Sequence, residues 1–274
     1  MKVAIVGCGY VGTRVAQKLR DKSDYIVTAT TTTPQRVAEL EAIVDRVAVL
    51  KGDDKDAMTA LLQAQDAVLL CVGARNPSSY KESYLDTAKT LVSALQQTPA
   101  VKQVIYTGTY SVYGDRQGEL VTEDSPVAPA NPNSEILAET ERILLAASSP
   151  NLKVSILRLG GIYGAGRELV KIFGGWAGTT RPGKGEDATN WVHTDDVVGG
   201  LIFALEHQLQ GIYNLVGDVS LSSRELLDRI FETHNLPQVS WDGSPSVRPY
   251  NARVSNQKIK AAGYQFVHPE IREF

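Results

Sequence analysis

Two cysteines in 274 residues, Cys8 and Cys71, are too few for a disulfide framework. That usage fits a reducing, cytoplasmic setting. An excess of charge of one sign is missing too: 28 Lys and Arg stand against 31 Asp and Glu, a net charge of −3. The basic residues are scattered, so neither nucleic acid nor an anionic membrane is an expected partner. No apolar run reaches the length that crosses a bilayer. The apolar start is interrupted by glycines and followed at once by Arg14, which argues for a first strand and against a signal peptide. Zinc-ligand spacing, GxSxG and a P-loop are all missing, so no metal is expected. There is no repeat of solenoid period and no low-complexity tract. What remains is an ordinary globular composition, 43% hydrophobic and 22% charged, long enough for one large core or two fused lobes.

The first dozen residues, MKVAIVGCGYVG, are the most informative. Lys2 to Val6 read as a buried strand. Gly7, Gly9 and Gly12 follow at GxGxxG spacing, and apolar residues then recur at helical spacing through Val11, Val15, Ala16 and Leu19. Strand, glycine turn and helix form the context in which this motif means dinucleotide binding. Gly7 permits the tight turn, Gly9 admits a pyrophosphate to the backbone, and Gly12 lets helix and strand pack closely. The amides at the helix start, from Tyr10 and Val11 onward, face the phosphates.

Strand and helix signals alternate through the first 160 residues. Strands are expected at 25–30, 46–50, 66–72, 103–107 and 154–159. Helices are expected after Thr33-Pro34, over 81–97 and over 135–147. This rhythm predicts an α/β fold, a Rossmann-like doubly wound parallel sheet, over 1–160. Residues 161–274 read mainly as a smaller substrate-binding lobe, with about 191–215 returning to the core. Five glycines within 174–185 mark a loop placed to act as a lid. Asp195 and Asp196 suit the positive end of a helix, and Ser222 with Glu225 spells a capping box.

Cofactor choice is read after the second strand. NAD-binding proteins usually carry an acid there for the ribose hydroxyls. Here stand Thr30, Thr31, Thr32 and Thr33, followed by Arg36. Hydroxyls and a guanidinium suit a 2′-phosphate, so NADP is expected ahead of NAD. The plainer alternative is that the threonines finish a strand and cap a helix. Asp53 either accepts from an adenine amino group or belongs to a turn. Gly73 ends the fourth strand, where a missing side chain lets a cofactor pass.

Seven segments together resemble a known family: GCGYVG at 7–12, KGDDKD at 51–56, DAVLLCVGA at 66–74, TGTYSVYG at 107–114, LRLGGIYGAGR at 157–167, WVHTDDVV at 191–198 and GIYNLVGD at 211–218. The chain is similar to the extended short-chain dehydrogenase/reductase superfamily, in its NAD(P)-dependent epimerase/dehydratase group, and within it to an atypical branch of small bacterial proteins. The resemblance implies an oxidoreductase or epimerase acting on a small molecule such as a nucleotide sugar. It also implies a homodimer formed through helices like 81–97 and 135–147. The family's catalysis uses a Ser or Thr, matched by Thr109, and then Tyr and Lys in YxxxK. By the family's register Asn133 stands at the Tyr position, Leu137 at the Lys position and Glu141 at the following Glu. Asn has no proton to give near neutral pH and Leu brings no charge. The substitute acid/base candidates are Tyr113 and His193, each with a structural alternative: packing in the SVYG turn, or an imidazole bonded to backbone. Arg167 and Asn190 are the candidate substrate contacts. A non-catalytic NADP(H) sensor or scaffold is the competing function, and a site for another adenine nucleotide the third.

Overall fold

The apolar runs of the sequence become the strands of one sheet. The computed structural model describes residues 1–274. Its sheet strands are β1 (Lys2–Val6), β2 (Ile26–Thr31), β3 (Arg46–Val49), β4 (Ala67–Leu70), β5 (Gln103–Thr109), β6 (Lys153–Leu159) and β7 (Gly211–Leu215). They lie in the order β7-β6-β5-β4-β1-β2-β3, a seven-stranded parallel sheet. The chain winds outward from β1 in one direction and from β4 in the other. β1 and β4 are therefore the topological switch point, where such sheets bind ligands beyond their carboxyl ends. Ala4 pairs with Thr28 on one side and Val68 on the other.

The chain divides into two compact units. The first comprises residues 1–108, 132–157 and 198–212; the second comprises 109–131, 158–197 and 213–274. The excursion of 109–131 into the second unit has no counterpart in a boundary drawn at residue 160.

In the first unit, α1 (Tyr10–Arg20) buries Val15, Ala16 and Leu19, the stripe its spacing predicts. A 3-10 turn at Pro34–Arg36 leads into the short α2 (Val37–Glu41). Thr33 stands at the cap position of that turn, but its side chain makes no capping bond. α3 (Lys55–Leu62) is capped by Asp54, which accepts from the Ala57 N–H at 3.0 Å. α4 (Thr87–Leu95) follows a π-helical turn over Lys81–Asp86, and α5 (Pro132–Ala146) packs beside α4. Met58, Leu62, Leu91 and Leu144 from these helices meet Val68, Leu70, Val104, Tyr106 and Ile156 of the strands. Truncating one of these buried leucines to Ala costs about 2–5 kcal/mol.

The second unit is built from α6 (Leu169–Phe173), the start of α7 (Thr194–Glu206), α8 (Ser223–Thr233), α9 (Gln257–Ala261) and short strand pairs. Gly161–Tyr163 runs parallel to Trp191–His193, and Asp115–Val121 parallel to Asn251–Val254. The Ser222–Glu225 capping box forms with both of its bonds. The glycine-rich 174–185 stretch is more than a loop. It holds a 3-10 turn at Gly174–Trp176 and a strand at Thr180–Arg181 paired with Ser240–Trp241, and the Arg181 guanidinium lies 3.9 Å over the Trp176 ring.

Candidate functional site

The glycine turn joins β1 to α1 within the first unit. Gly7 has φ +90°, in the left-handed region, and a Cβ there would strike the Cys71 backbone at 2.9 Å. A Cβ on Gly12 would lie 2.6 Å from the Gly7 carbonyl oxygen and 3.1 Å from Ile5 Cγ2, so Gly12 sets the close approach of helix to strand. Gly9 differs from both, because a Cβ there would meet nothing within 4 Å. Gly73, past the end of β4, is equally open. Gly9 is the N-cap of α1, with no side-chain cap and no acid in the first turn. The first intrahelical bond runs from Thr13 N–H to the Gly9 carbonyl, so the Val11 and Gly12 amides precede the helical ladder. The result is an open helix start with its positive dipole end uncovered, beside two glycines whose missing side chains leave room. Such an arrangement has the room and the dipole to form a cradle for an anion. The turn also presents Tyr10, whose ring carries the Arg14 guanidinium at 3.9 Å.

The two threonines that end β2 bond backbone, one in the glycine turn and one just past the strand. Thr30 Oγ1 accepts from the Gly7 N–H at 3.0 Å, and Thr31 Oγ1 accepts from the Thr33 N–H at 3.1 Å. Both residues are buried. Each hydroxyl oxygen thus holds a backbone N–H, the strand-finishing role that was the plainer alternative for these threonines, and keeps its own O–H as a donor. Arg36 does reach the cradle, donating from Nη1 to the Cys8 carbonyl at 2.7 Å. Its Nη2 and Nε also engage the Glu39 carboxylate, at 2.9 and 3.2 Å. That bond raises the Arg36 pKa and lowers that of Glu39. The local signal of this acid is its i,i+3 spacing from Arg36. Asp53 is exposed in the turn after β3. Its neighbour Gly52 packs so tightly on Thr87 that a Cβ would stand 2.0 Å from Thr87 Oγ1.

On α5, Asn133, Leu137 and Glu141 fall on one face at i, i+4 and i+8. Leu137 and Glu141 are buried, and a Cβ added to Gly108 at the end of β5 would meet Glu141 Oε1 at 2.8 Å. This face of α5 therefore presents an amide, an isobutyl group and a carboxyl group in succession.

The other candidates lie in the second unit. Thr109 Oγ1 accepts from the Ser111 N–H at 3.2 Å and caps the 110–113 turn. Tyr113 is completely buried. Its hydroxyl donates to Asn214 Oδ1 at 2.8 Å, and the Arg158 guanidinium lies 4.7 Å over its ring. Burial raises the phenol's pKa, and Arg158 and Asn214 only partly offset that. The burial and the bond to Asn214 correspond to the packing alternative in the SVYG turn. Asn190 is buried as well, donating from Nδ2 to the Ala252 carbonyl at 2.8 Å while Oδ1 accepts from the Val254 N–H at 3.0 Å. Its amide bonds the 251–254 strand on both sides, like an extra backbone link. Arg167 is exposed, and its Nε donates to the Ile162 carbonyl at 3.1 Å. His193 is buried at the end of its strand, and Nδ1 accepts from the Asp195 N–H at 3.2 Å. Burial lowers its pKa, His268 adds to that, and Asp195 and Asp196 oppose it. The imidazole bonded to backbone is the arrangement found.

Asp196 was read only as a helix-start acid. It is fully buried, and its carboxylate accepts from Tyr264 Oη at 3.0 Å, Val267 N–H at 2.7 Å and His268 N–H at 2.8 Å. Its three partners lie about 70 residues away in sequence, which is why no local pattern reveals them.

Comparison with known proteins adds a family to this geometry. Residues 3–216 match the model of the NAD dependent epimerase/dehydratase family. The chain belongs to that family. It is 35% identical to Protein YeeZ of Escherichia coli over 221 residues, 78% of this chain and 77% of that protein. It is 26% identical to the epimerase family protein ML0860 of Mycobacterium leprae, across 99% of this chain and 93% of that one. The fold matches the UDP-Glc/GlcNAc 4-epimerase of Campylobacter jejuni with a TM-score of 0.82 at 19% identity, covering 98% and 95% of the two chains. MoeE5, solved with UDP-glucose and NAD, gives 0.77 at 19% identity over 95% and 91%. No helix of the chain is long and apolar enough to cross a membrane.

Proposed function

We propose that this protein is an oxidoreductase- or epimerase-like member of its family that binds a nicotinamide dinucleotide at the glycine turn, with a nucleotide sugar as its small-molecule partner. The carrying observation is the open pair Gly9 and Gly73 beside an uncapped helix start. A Cβ at either position would project into free space, which is the room a dinucleotide backbone needs. Gly7 and Gly12 shape the turn, the Val11 and Gly12 amides face the pyrophosphate, and Asp53 is the candidate for the adenine end. When bound, the nicotinamide supplies hydride acceptance or donation. The sugar nucleotide is inferred from relatives and neighbours that bear names such as UDP-glucose 4-epimerase.

NADP is the preferred form in this reading, because Arg36 stands at the turn after β2. Its partner Glu39 is exposed, and a phosphate dianion competes well for a guanidinium. The intact Arg36–Glu39 pair favours a second reading, NAD, as in the neighbours solved with it. Turnover also has two readings. Arg167 and Thr109 support a substrate site with an unusual acid/base. Asn133, Leu137 and the engaged Tyr113 and His193 favour a non-catalytic NADP(H)-responsive sensor or scaffold. A reducing cytoplasm suits the two buried free thiols, and α4 with α5 is the candidate surface for a second copy.

The test is a titration of the purified protein with NADPH and NADH, followed by tryptophan quenching and nicotinamide emission, then incubation with UDP-glucose and UDP-glucuronic acid. Saturable binding with NADPH ahead supports the reading. Binding without turnover selects the sensor, and no binding of either dinucleotide overturns the proposal.

A further inference from the structure

His193, Asp195 and His268 bring three metal-ligating side chains together in the second unit. Asp195 Oδ2 lies 3.5 Å from His193 Nδ1 and 3.3 Å from His268 Nε2, and one ligand atom from each residue falls within 4.8 Å of the others. Two atoms bound to one tetrahedral Zn²⁺ at about 2.0–2.1 Å stand roughly 3.4 Å apart. Both carboxylate–imidazole separations match that edge.

The surroundings prepare the cluster. The Asp195 N–H bonded to His193 Nδ1 leaves that nitrogen as the one with the lone pair, so the neutral ring offers Nδ1 and carries its proton on Nε2. Metal binding would exchange this 3.2 Å bond for coordination. A Cβ on Gly164 would come within 2.8 Å of His193 Nε2, so the glycine makes room for the ring. His268 does not sit on a loose segment, because Asp196 accepts from its own N–H and from that of Val267, fixing the backbone that presents the ring. The two imidazoles are 3.8 Å apart, centroid to centroid. Asp195 is two-thirds exposed and His268 about one-third, so an ion can enter and a fourth position stays open to water. Two imidazoles and one carboxylate suit a borderline divalent transition ion over Mg²⁺ or Ca²⁺, which take oxygen ligands.

We propose that His193 Nδ1, Asp195 Oδ2 and His268 Nε2 form a Zn²⁺-class binding site that ties the 264–268 segment to the start of α7. Sequence spacing hides it, since His268 lies 75 residues from His193. All three ligand residues lie in the second unit, and those of the dinucleotide cradle in the first.

The experiment uses the full chain, freed of metal and without dinucleotide. Zn²⁺ is titrated by calorimetry and Co²⁺ by visible absorption. The expected result is one ion per chain, a tetrahedral Co²⁺ band and a higher melting temperature with Zn²⁺. His268→Ala and Asp195→Asn, both at exposed side chains, should each weaken Zn²⁺ by about tenfold or more and remove the band. A His207→Ala/His234→Ala variant, which removes the other two histidines, should bind as the wild type does. Absence of stoichiometric binding, equal affinity in His268→Ala and wild type, or loss of binding in the His207/His234 variant would each overturn the site.

Discussion

At the glycine turn of the first unit, a side chain added to Gly9 or Gly73 would meet nothing within 4 Å. In the second unit, Tyr113 and Asn190 already hold partners, each at 2.8 Å. The first region is shaped by side chains that are missing, and it leaves room and unladdered amides. The second is a set of buried polar groups whose bonding capacity holds the fold. Openness beside an uncapped helix start marks a place for a ligand. Saturated bonding marks structure, even in residue types that elsewhere carry chemistry.

The contrast can be broken first at Gly12. Gly12→Val places a side chain against the Gly7 carbonyl and should cost about 3 kcal/mol of stability as well as dinucleotide binding. Chemical denaturation measures the first effect, and unchanged stability would show that helix and strand are not in tight contact. Next is Asn190→Ala, which leaves the Ala252 carbonyl and the Val254 N–H without their side-chain partner. A loss of about 2–3 kcal/mol is expected with NADPH affinity retained. Loss of substrate affinity at full stability would instead return Asn190 to a binding role. Tyr113→Phe should cost only about 1 kcal/mol. A fall in turnover by about 10²-fold or more at that small stability cost would make the phenol an acid/base after all. The smallest effect concerns selectivity. Arg36→Ala should weaken NADPH relative to NADH by about tenfold, read from paired titrations. Glu39→Gln should move the ratio the other way, and equal losses of both dinucleotides in Arg36→Ala would remove the 2′-phosphate assignment.

Much of the first region was legible in the sequence because its determinants are local. GCGYVG sits on consecutive residues, and the alternation of apolar strands and striped helices needs no long-range knowledge. The shape of Gly7 and Gly12 followed from spacing alone. The rest depended on contacts distant in sequence. Thr30 was assigned to the cofactor because nothing local says that its hydroxyl meets Gly7, 23 residues earlier. Tyr113 and Asn214 are 101 residues apart, and Asn190 bonds a strand more than 60 residues away. Glu39 lies close by, but it stands one helical turn past β2 and not directly after the strand, where a ribose-binding acid is expected. The expectation that Asn133 and Leu137 stand in place of Tyr and Lys comes only through the family register, since periodicity shows a helix face and not its chemistry.

The account rests most heavily on the room beside Gly9. Wild type and Gly9→Val are to be titrated with NADPH side by side and melted under the same conditions. The prediction is at least about a hundredfold loss of affinity, because the new side chain occupies the pyrophosphate's place, with the melting temperature unchanged. Equal affinity in the two proteins would contradict the glycine cradle as the dinucleotide site.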